Sequence, residues 1–96
     1  MPVYTMLGRD GPRGVELRKQ HRPAHLENLQ PLEDAGRIRF AGPLVDPDGL
    51  PFGSVVVFDA PSLEEARAIA ARDPYVHNGV FIHYEVHETK VVFPAS

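Results

Sequence analysis

The stretch from Ser54 to Pro74 reads SVVVFDAPSLEEARAIAARDP and contains the two clearest elements of the chain. Three consecutive valines followed by Phe58 are typical of a strand whose two faces are both covered. The segment from Ser62 to Glu65 has the spacing of a capping box, in which the serine caps the first turn of a helix. Apolar residues then recur at helical spacing until Asp73, where the following proline ends the helix. This stretch therefore predicts a buried strand followed by a helix.

The flanking segments predict three more strands. Each of them is marked either by β-branched and aromatic residues or by alternating apolar residues, and each is flanked by turn-forming residues. With the strand already identified, the predicted strands cover Val3–Leu7, Ile38–Ala41, Ser54–Asp59 and Val80–Val86, with a short extension at Val91–Phe93. The residues from Gly42 to Gly53 contain three prolines and are expected to form a long loop, which is a candidate rim for a site.

The segment between the first two strands predicts a second helix. Its apolar residues lie mostly three apart, as in the buried stripe of an amphipathic helix. Because proline is tolerated best in a first turn, the pattern indicates a short turn at Val15–Gln20 and then a helix that begins near Pro23. Gly36 is a plausible end of this helix, and Pro31 is expected to kink it.

The resulting order βαββαβ predicts an α+β fold. When the helical connections between strands are right-handed, this order gives a ferredoxin-like antiparallel sheet of four strands with two helices on one face. At 96 residues we expect a single domain that covers residues 1–96. Two helices leave the other face of Val55–Phe58 uncovered, and a second copy of the chain is the simplest cover. The sequence thus predicts a homodimer with sheet facing sheet, a dimeric α+β barrel.

Composition excludes several classes of protein. Ten basic and thirteen acidic residues give a net charge of −3, so nucleic acid is not an expected partner. The absence of cysteine excludes disulfides, thiolate nucleophiles and iron–sulfur clusters. No glycine-rich phosphate loop occurs, and the longest apolar run, Val55–Phe58, is far too short to cross a bilayer. We therefore expect a cytoplasmic protein with no membrane association.

Five histidines raise the question of a metal site. His83 and His87 lie on one strand face, but four residues of strand separate them by about 13 Å, too far to share an ion. His21 and His25 have a suitable helical spacing, but Pro23 between them places His21 outside the predicted helix. The sequence therefore predicts no metal and no cofactor, with His21, His77 and His87 as exposed polar residues.

His25 has the most distinctive neighbours. Arg22 precedes it by about one helical turn and Arg18 by about two, so a cationic strip forms if the segment is helical. Neighbouring cations favour the neutral imidazole, which can accept a proton. A solvated basic face with His25 as a bystander fits the same pattern.

Asp73 and Ser54 are further candidates. Asp73 stands at the predicted end of the helix that follows Ser62, where a carboxylate faces an unfavourable dipole and needs another partner. Taken alone, it is better explained as a turn former before proline. Of the three serines, Ser62 is explained as a cap and Ser96 is the last residue of the sequence, which leaves Ser54.

Seven short motifs together resemble the YciI-like, or YCII-related, family. In chain order they are Arg22-Pro23-Ala24-His25-Leu26, Gly36-Arg37, Ala41-Gly42-Pro43, Gly53-Ser54, Ser62-Leu63-Glu64, Asp73-Pro74-Tyr75-Val76 and Gly79-Val80. Each motif alone is common, but the seven occur in register over nearly the whole chain.

This resemblance implies a ferredoxin-like fold whose dimer packs sheet against sheet. It also implies an active site in a cleft, with His25 and Asp73 as a catalytic pair. The residues expected to bind substrate are Arg18, Arg22, Gly42, Pro43, Ser54 and Tyr75. Members with assigned reactions carry out lyase-like or isomerase-like steps on ring intermediates of aromatic degradation. The segment Leu44–Phe52 is shorter than in many members, which leaves the rim of the cleft and the choice of substrate open.

Two functions fit these observations. In the first, the chain is an enzyme: His25 transfers a proton, Asp73 orients the imidazole, and Arg18 or Arg22 binds an anionic oxygen of a small substrate. In the second, it is a dimeric module that binds a small ligand or regulates a partner without turnover. Loss of turnover with retained affinity on His25→Ala separates the two.

Overall fold

A computed structural model describes residues 1–95 of the chain. Four strands form one antiparallel sheet in the order β2-β3-β1-β4, and the helices pack on one face of it. The elements are β1 (Val3–Asp10), α1 (Gly14–Asp34), β2 (Ile38–Val45), β3 (Pro51–Asp59), α2 (Leu63–Ala71), α3 (Pro74–His77) and β4 (Phe81–Thr89). The prediction of a ferredoxin-like α+β fold is confirmed.

The core lies between the sheet and the helices. β1 runs through the middle, where Met6 pairs with Val56 on β3 and with Val86 on β4. All three side chains are buried and point to the helical side, where Ile69 of α2 is also buried. Ser62 accepts a hydrogen bond from the Glu65 amide at the start of α2, as the capping box predicts.

Helix α1 differs from its prediction. The expected turn and separate helix are wrong, because one continuous helix runs from Gly14 to Asp34 and includes Pro23 and Pro31. His21, predicted to lie outside the helix, is therefore within it. Both prolines lie on the exposed side, so water can hydrogen-bond the carbonyls they leave without a donor. Packing of the opposite side against the sheet outweighs the cost of the prolines.

The strands β2 and β3 are longer than predicted. The expected loop from Gly42 to Gly53 is wrong in extent, because pairing continues to Val45 and Pro51 and leaves a tight turn. The Asp46 carboxylate accepts hydrogen bonds from the Asp48 and Leu50 amides across this turn. Short helix α3 was not predicted, and the predicted extension at Val91–Phe93 is not a strand.

One face of the sheet carries no helix. Val56 and Phe58 point to the helices, whereas Val55 and Val57 point to this open face and are only half buried. Leu7 of β1 lies directly beside Val55. Both faces of β3 were expected to be covered. Within the single chain only the face with Val56 and Phe58 is covered, by the helices.

The open face also carries a row of titratable residues on β4. Glu85 accepts hydrogen bonds from His87 at 2.8 Å and from His83 at 3.3 Å. These two hydrogen bonds hold the pKa of the Glu85 carboxyl below its usual value. All three side chains are exposed, so the row makes no buried site.

Candidate functional site

His25 and Asp73, 48 residues apart in the chain, form a buried pair. His25 Nδ1 lies 2.8 Å from Asp73 Oδ1 and 3.0 Å from Oδ2. α1 places His25 on its sheet-facing side, and the Asp73 side chain is only 2% exposed. The resemblance to a His–Asp pair is thus matched by direct contact.

Asp73 is positioned by the start of a helix and not by the end of one. Helix α2 ends at Ala71, and Asp73 is the N-cap of α3, with its Oδ1 accepting the Tyr75 amide at 2.9 Å. Asp73 does follow the end of α2 and has a partner in His25, as expected, but the short helix that begins directly after it was not predicted. The carboxylate is therefore fixed by its own helix and still reaches His25.

The contact with Asp73 determines how His25 presents its ring. An ionised carboxylate only accepts hydrogen bonds, so Nδ1 carries a hydrogen and Nε2 of the neutral ring keeps its lone pair. Within residues 1–95 no side chain hydrogen-bonds to Nε2, yet no buried side-chain nitrogen or oxygen there lacks a partner. Nε2 must therefore be accessible, and His25 is one of the residues that line a cavity.

Tyr75 stacks on the imidazole. The two rings are parallel within 2°, with centroids 3.9 Å apart, and the Arg18 guanidinium carbon lies 5.2 Å from the centroid of Tyr75. Burial raises the pKa of the Tyr75 phenol, and the charges of Arg18 and Arg22 oppose this shift. The phenol is thus protonated at neutral pH and can donate a hydrogen bond.

Arg18 is held by three residues from the sheet. Its Nε and Nη2 donate to the two oxygens of Asp10 at 2.7 and 2.8 Å. Nη2 also donates to the Gly53 carbonyl at 2.8 Å and to Ser54 Oγ at 2.9 Å. Nη1 makes no hydrogen bond to the described residues and so is accessible, by the same reasoning as for His25 Nε2.

These side chains meet around a cavity of about 180 Å³ between α1 and the β2–β3 part of the sheet. The predicted site residues that line it are Arg18, Arg22, His25, Gly42, Pro43, Ser54 and Tyr75. Asp73 does not line it and stands behind the imidazole. Leu26, Leu29 and Val56 supply an apolar wall. The structure thus brings all eight predicted residues into one place.

Asp10 was missed by the sequence analysis. It lies among the turn formers that follow the predicted strand Val3–Leu7, yet its carboxylate neutralises Arg18 inside the protein. Its place at the end of a strand, eight residues before a candidate anion-binding arginine, was the one available signal.

Charges around the cavity are arranged in two layers. No aspartate or glutamate lines it, whereas Arg18, Arg22 and His25 do. The two nearby carboxylates, Asp10 and Asp73, stand behind Arg18 and His25 and accept hydrogen bonds from them. Arg22 forms no ion pair with any of residues 1–95, so its guanidinium is a cation at the cavity wall that has no carboxylate partner there.

Two properties of residues 1–95 concern metals and membranes. No group of three histidine, aspartate or glutamate side chains there is arranged to hold a metal ion. In the same part of the chain, no helix combines the length and the apolar character that a membrane span requires.

Comparison with known proteins gives a family. A family model described as the YCII-related domain matches residues 3–90. The chain belongs to the YCII-related family. Protein YciI of Escherichia coli is 42% identical over 97 residues, an alignment that covers 95% of the chain and 99% of that relative. The resemblance inferred from the seven motifs is therefore confirmed.

Two further relatives of this YCII-related chain carry descriptive names. The structure of 5-chloro-2-hydroxyhydroquinone dehydrochlorinase (TftG) from Burkholderia phenoliruptrix AC1100, in complex with 2,5-dihydroxybenzoquinone, superposes with a TM-score of 0.81 at 26% identity. That match covers 92% of this chain and 93% of the other. An Emericella nidulans protein, derivative of benzaldehyde biosynthesis cluster protein C, is 38% identical over 72 residues, covering 68% of this chain and 74% of that relative.

Proposed function

We propose that this YCII-related protein is a cofactor-independent enzyme that transfers a proton on a small, anionic, ring-containing substrate. The observation that carries the proposal is the buried His25–Asp73 pair, in which the imidazole keeps an accessible nitrogen and lines a cavity of ring size. General acid–base catalysis needs a base whose orientation is fixed, and here the buried Asp73 carboxylate holds the His25 imidazole.

In the proposed reaction His25 Nε2 takes a proton from the substrate, and Asp73 stabilises the imidazolium that forms. Negative charge moves onto a ring oxygen, which Arg18 Nη1 and the hydroxyl groups of Ser54 and Tyr75 can stabilise by donating hydrogen bonds. A leaving group then departs with its electron pair in a lyase-type step, or the proton returns at another atom in an isomerase-type step. Neither course requires an oxidant or a metal.

The relatives support a ring substrate. A dehydrochlorinase removes a proton and a chloride, and the TftG structure holds a dihydroxybenzoquinone, which is a single oxygenated ring. The Emericella nidulans relative is named for a cluster that makes an aromatic aldehyde derivative. A ring with one or two ionised oxygens also fits the Arg22 guanidinium, which has no ion-pair partner among residues 1–95.

The proposal is tested by incubating the protein in D2O with hydroxylated quinones, chlorinated hydroquinones and ring lactones, one compound at a time. We expect at least one compound to show catalytic deuterium uptake, chloride release or rearrangement by NMR, with many turnovers per protein. Saturable binding of these compounds with no exchange or turnover in any case supports the binding module and contradicts the enzyme.

We also propose that the protein is a homodimer that buries the open sheet face. This face presents half-buried Val55 and Val57 together with Leu7, which is 40% exposed, and Phe40, which is 57% exposed. Association through it covers these side chains against their counterparts in a second copy. The cavity at His25 lies on the helical side of the sheet, so it stays open in such a dimer.

A pair of neighbouring substitutions tests the dimer. Val57→Asp places a charge on the open face and is expected to give a folded monomer of about half the wild-type mass by light scattering. Val56→Asp, one residue away, places the same charge in the core and is expected to unfold the chain, seen by circular dichroism. A wild-type chain that remains a 10.6 kDa monomer at micromolar concentration contradicts the dimer.

A further inference from the structure

A second cavity adjoins the one at His25. Its volume is about 400 Å³, more than twice that of the first at about 180 Å³. Arg18, Arg22, Pro43 and Tyr75 line both cavities. They form the boundary between an inner compartment, which contains His25, and an outer compartment, which extends toward the β2–β3 turn.

The volumes set what each compartment can hold. An apolar cavity of about 150 Å³ accommodates benzene, so the inner compartment has the size of one substituted ring. The outer compartment offers room for a substituent that extends from the ring. A ligand that consists of the ring alone fills the inner compartment, and the larger outer compartment then contains only water.

The charges of the outer compartment are not balanced. Lys19 and Arg22 line it and are neighbours on α1, three residues apart. Neither forms an ion pair with any of residues 1–95, and no aspartate or glutamate lines the compartment. This local excess of positive charge stands against a net charge of −3 for the whole chain. An anionic group between the two cations relieves their repulsion.

The opposite wall is apolar and fixed. Val45 and Leu50, at the two ends of the β2–β3 turn, are 55% and 49% exposed and line the compartment. The Asp46 carboxylate ties the turn together through the Leu50 amide at 3.0 Å, and Gly49 takes the positive φ of 80° that the turn requires. A short methylene chain can pack on this wall while its charged end contacts the cations.

We propose that the two compartments form one cleft for a ring that carries a short side chain ending in a carboxylate. The ring lies beside His25, and the carboxylate lies in the outer compartment between Lys19 and Arg22, with the side chain against Leu50. The proposal rests on the proposed function in one respect only: it assumes that the part of the ligand beside His25 is the part that reacts. The preference for the charged side chain is a property of binding and exists without turnover.

The experiment measures binding of three ring compounds to the ¹⁵N-labelled wild-type chain by NMR titration. They are para-hydroxyphenylpropionate, its uncharged amide, and para-hydroxybenzoate, whose carboxylate is attached directly to the ring. We expect the propionate to bind about tenfold tighter than its amide, the size of one charge-assisted hydrogen bond. We expect it also to bind tighter than the benzoate, because that carboxylate stays in the inner compartment. The Gly49 and Leu50 amide signals should shift with the propionate.

Variants assign the preference to the outer compartment. In the double variant Lys19→Gln/Arg22→Gln the acid-to-amide ratio is expected to fall toward one, and Leu50→Ser is expected to weaken acid and amide alike. Lys90→Gln removes one positive charge at an exposed site that lines neither compartment and is expected to leave the ratio unchanged. High salt should reduce the ratio in the wild type, because exposed charges are screened.

Three results overturn the proposal. They are equal affinity for acid and amide, a preference that survives in the double variant, and no saturable binding of any of the three compounds. None of these depends on catalysis. A chain that discriminates acid from amide but shows no turnover contradicts the enzyme and leaves the cleft proposal standing.

Discussion

Replacing His25 with alanine is expected to lower kcat by about 10²- to 10⁴-fold, the range in which a general acid–base residue contributes. Ligand affinity is expected to change by no more than about threefold, because the residue acts on the transition state more than on the bound ground state. Turnover is measured in the NMR assay described above, and affinity is measured by titration in the same buffer. Retained turnover in this variant contradicts the proposed mechanism.

Asp73→Asn tests the orientation of the imidazole separately. The amide oxygen of asparagine can still accept the Tyr75 amide hydrogen, so the cap of α3 is kept. Its NH₂ group then faces His25 Nδ1, which must accept, and the ring hydrogen moves to Nε2. A ring in this tautomer cannot take a proton at Nε2, so kcat is expected to fall by at least about tenfold with the fold intact.

His21→Ala is the matched control for both variants. His21 lies on the same helix, one turn before His25, and lines neither compartment of the cleft. Its removal is expected to leave turnover at the wild-type level. Equal losses in His21→Ala and His25→Ala would indicate that damage to α1, and not the loss of a proton carrier, explains the effect.

Replacing Asp10 with alanine is expected to lower the free energy of unfolding by about 3–5 kcal/mol, since it leaves the buried Arg18 charge without its partner. The Arg18 and Asp10 side chains are 11% and 4% exposed, so water cannot replace the lost carboxylate easily. At about 4–8 °C per kcal/mol for a domain of this size, Tm is expected to fall by at least about 12 °C. Thermal unfolding followed by circular dichroism measures the change.

Asp59→Ala is the control for this second substitution. Asp59 is also a strand aspartate that pairs with an arginine, but Arg39 is 51% exposed, so the loss is expected to be within about 1 kcal/mol. Removing both buried charges in Asp10→Leu/Arg18→Met is expected to cost less than Asp10→Ala alone. Similar melting temperatures for Asp10→Ala and Asp59→Ala would show that the buried pair does not stabilise the fold.

The fold was predictable because its elements follow local patterns. The valine run at Val55–Phe58 and the capped helix after Ser62 are determined by nearby residues, and the handedness of crossovers then leaves few topologies. The length of α1 was not predictable, because Pro23 and Pro31 argue locally for a break. Only the burial of the opposite side of that helix, including Arg18 and His25, outweighs them.

Eight residues of the candidate site were predictable from the family resemblance, but Asp10 and the arrangement of the residues were not. Neither the contact between His25 and Asp73 nor the pairing of Arg18 with Asp10 follows from sequence spacing. Both join α1 to another element and form only when α1 packs on the rest of the fold. The short helix that makes Asp73 an N-cap has only four residues and leaves almost no periodic pattern. The outer compartment exists only because the pairing of β2 with β3 extends to Val45. The prolines of that segment indicate a loop, so the sequence does not predict this pairing.

Pro43 gives the outer strand β2 a resistance to aggregation. A sheet edge with free amide hydrogens can template the addition of a strand from another chain, and such growth leads to fibrils. Proline has no amide hydrogen to offer, and edge strands are where sheets tolerate it. On β2 it also lines the cleft beside His25. A Pro43 substitution selected for altered substrate choice would therefore carry a cost in solubility at high concentration.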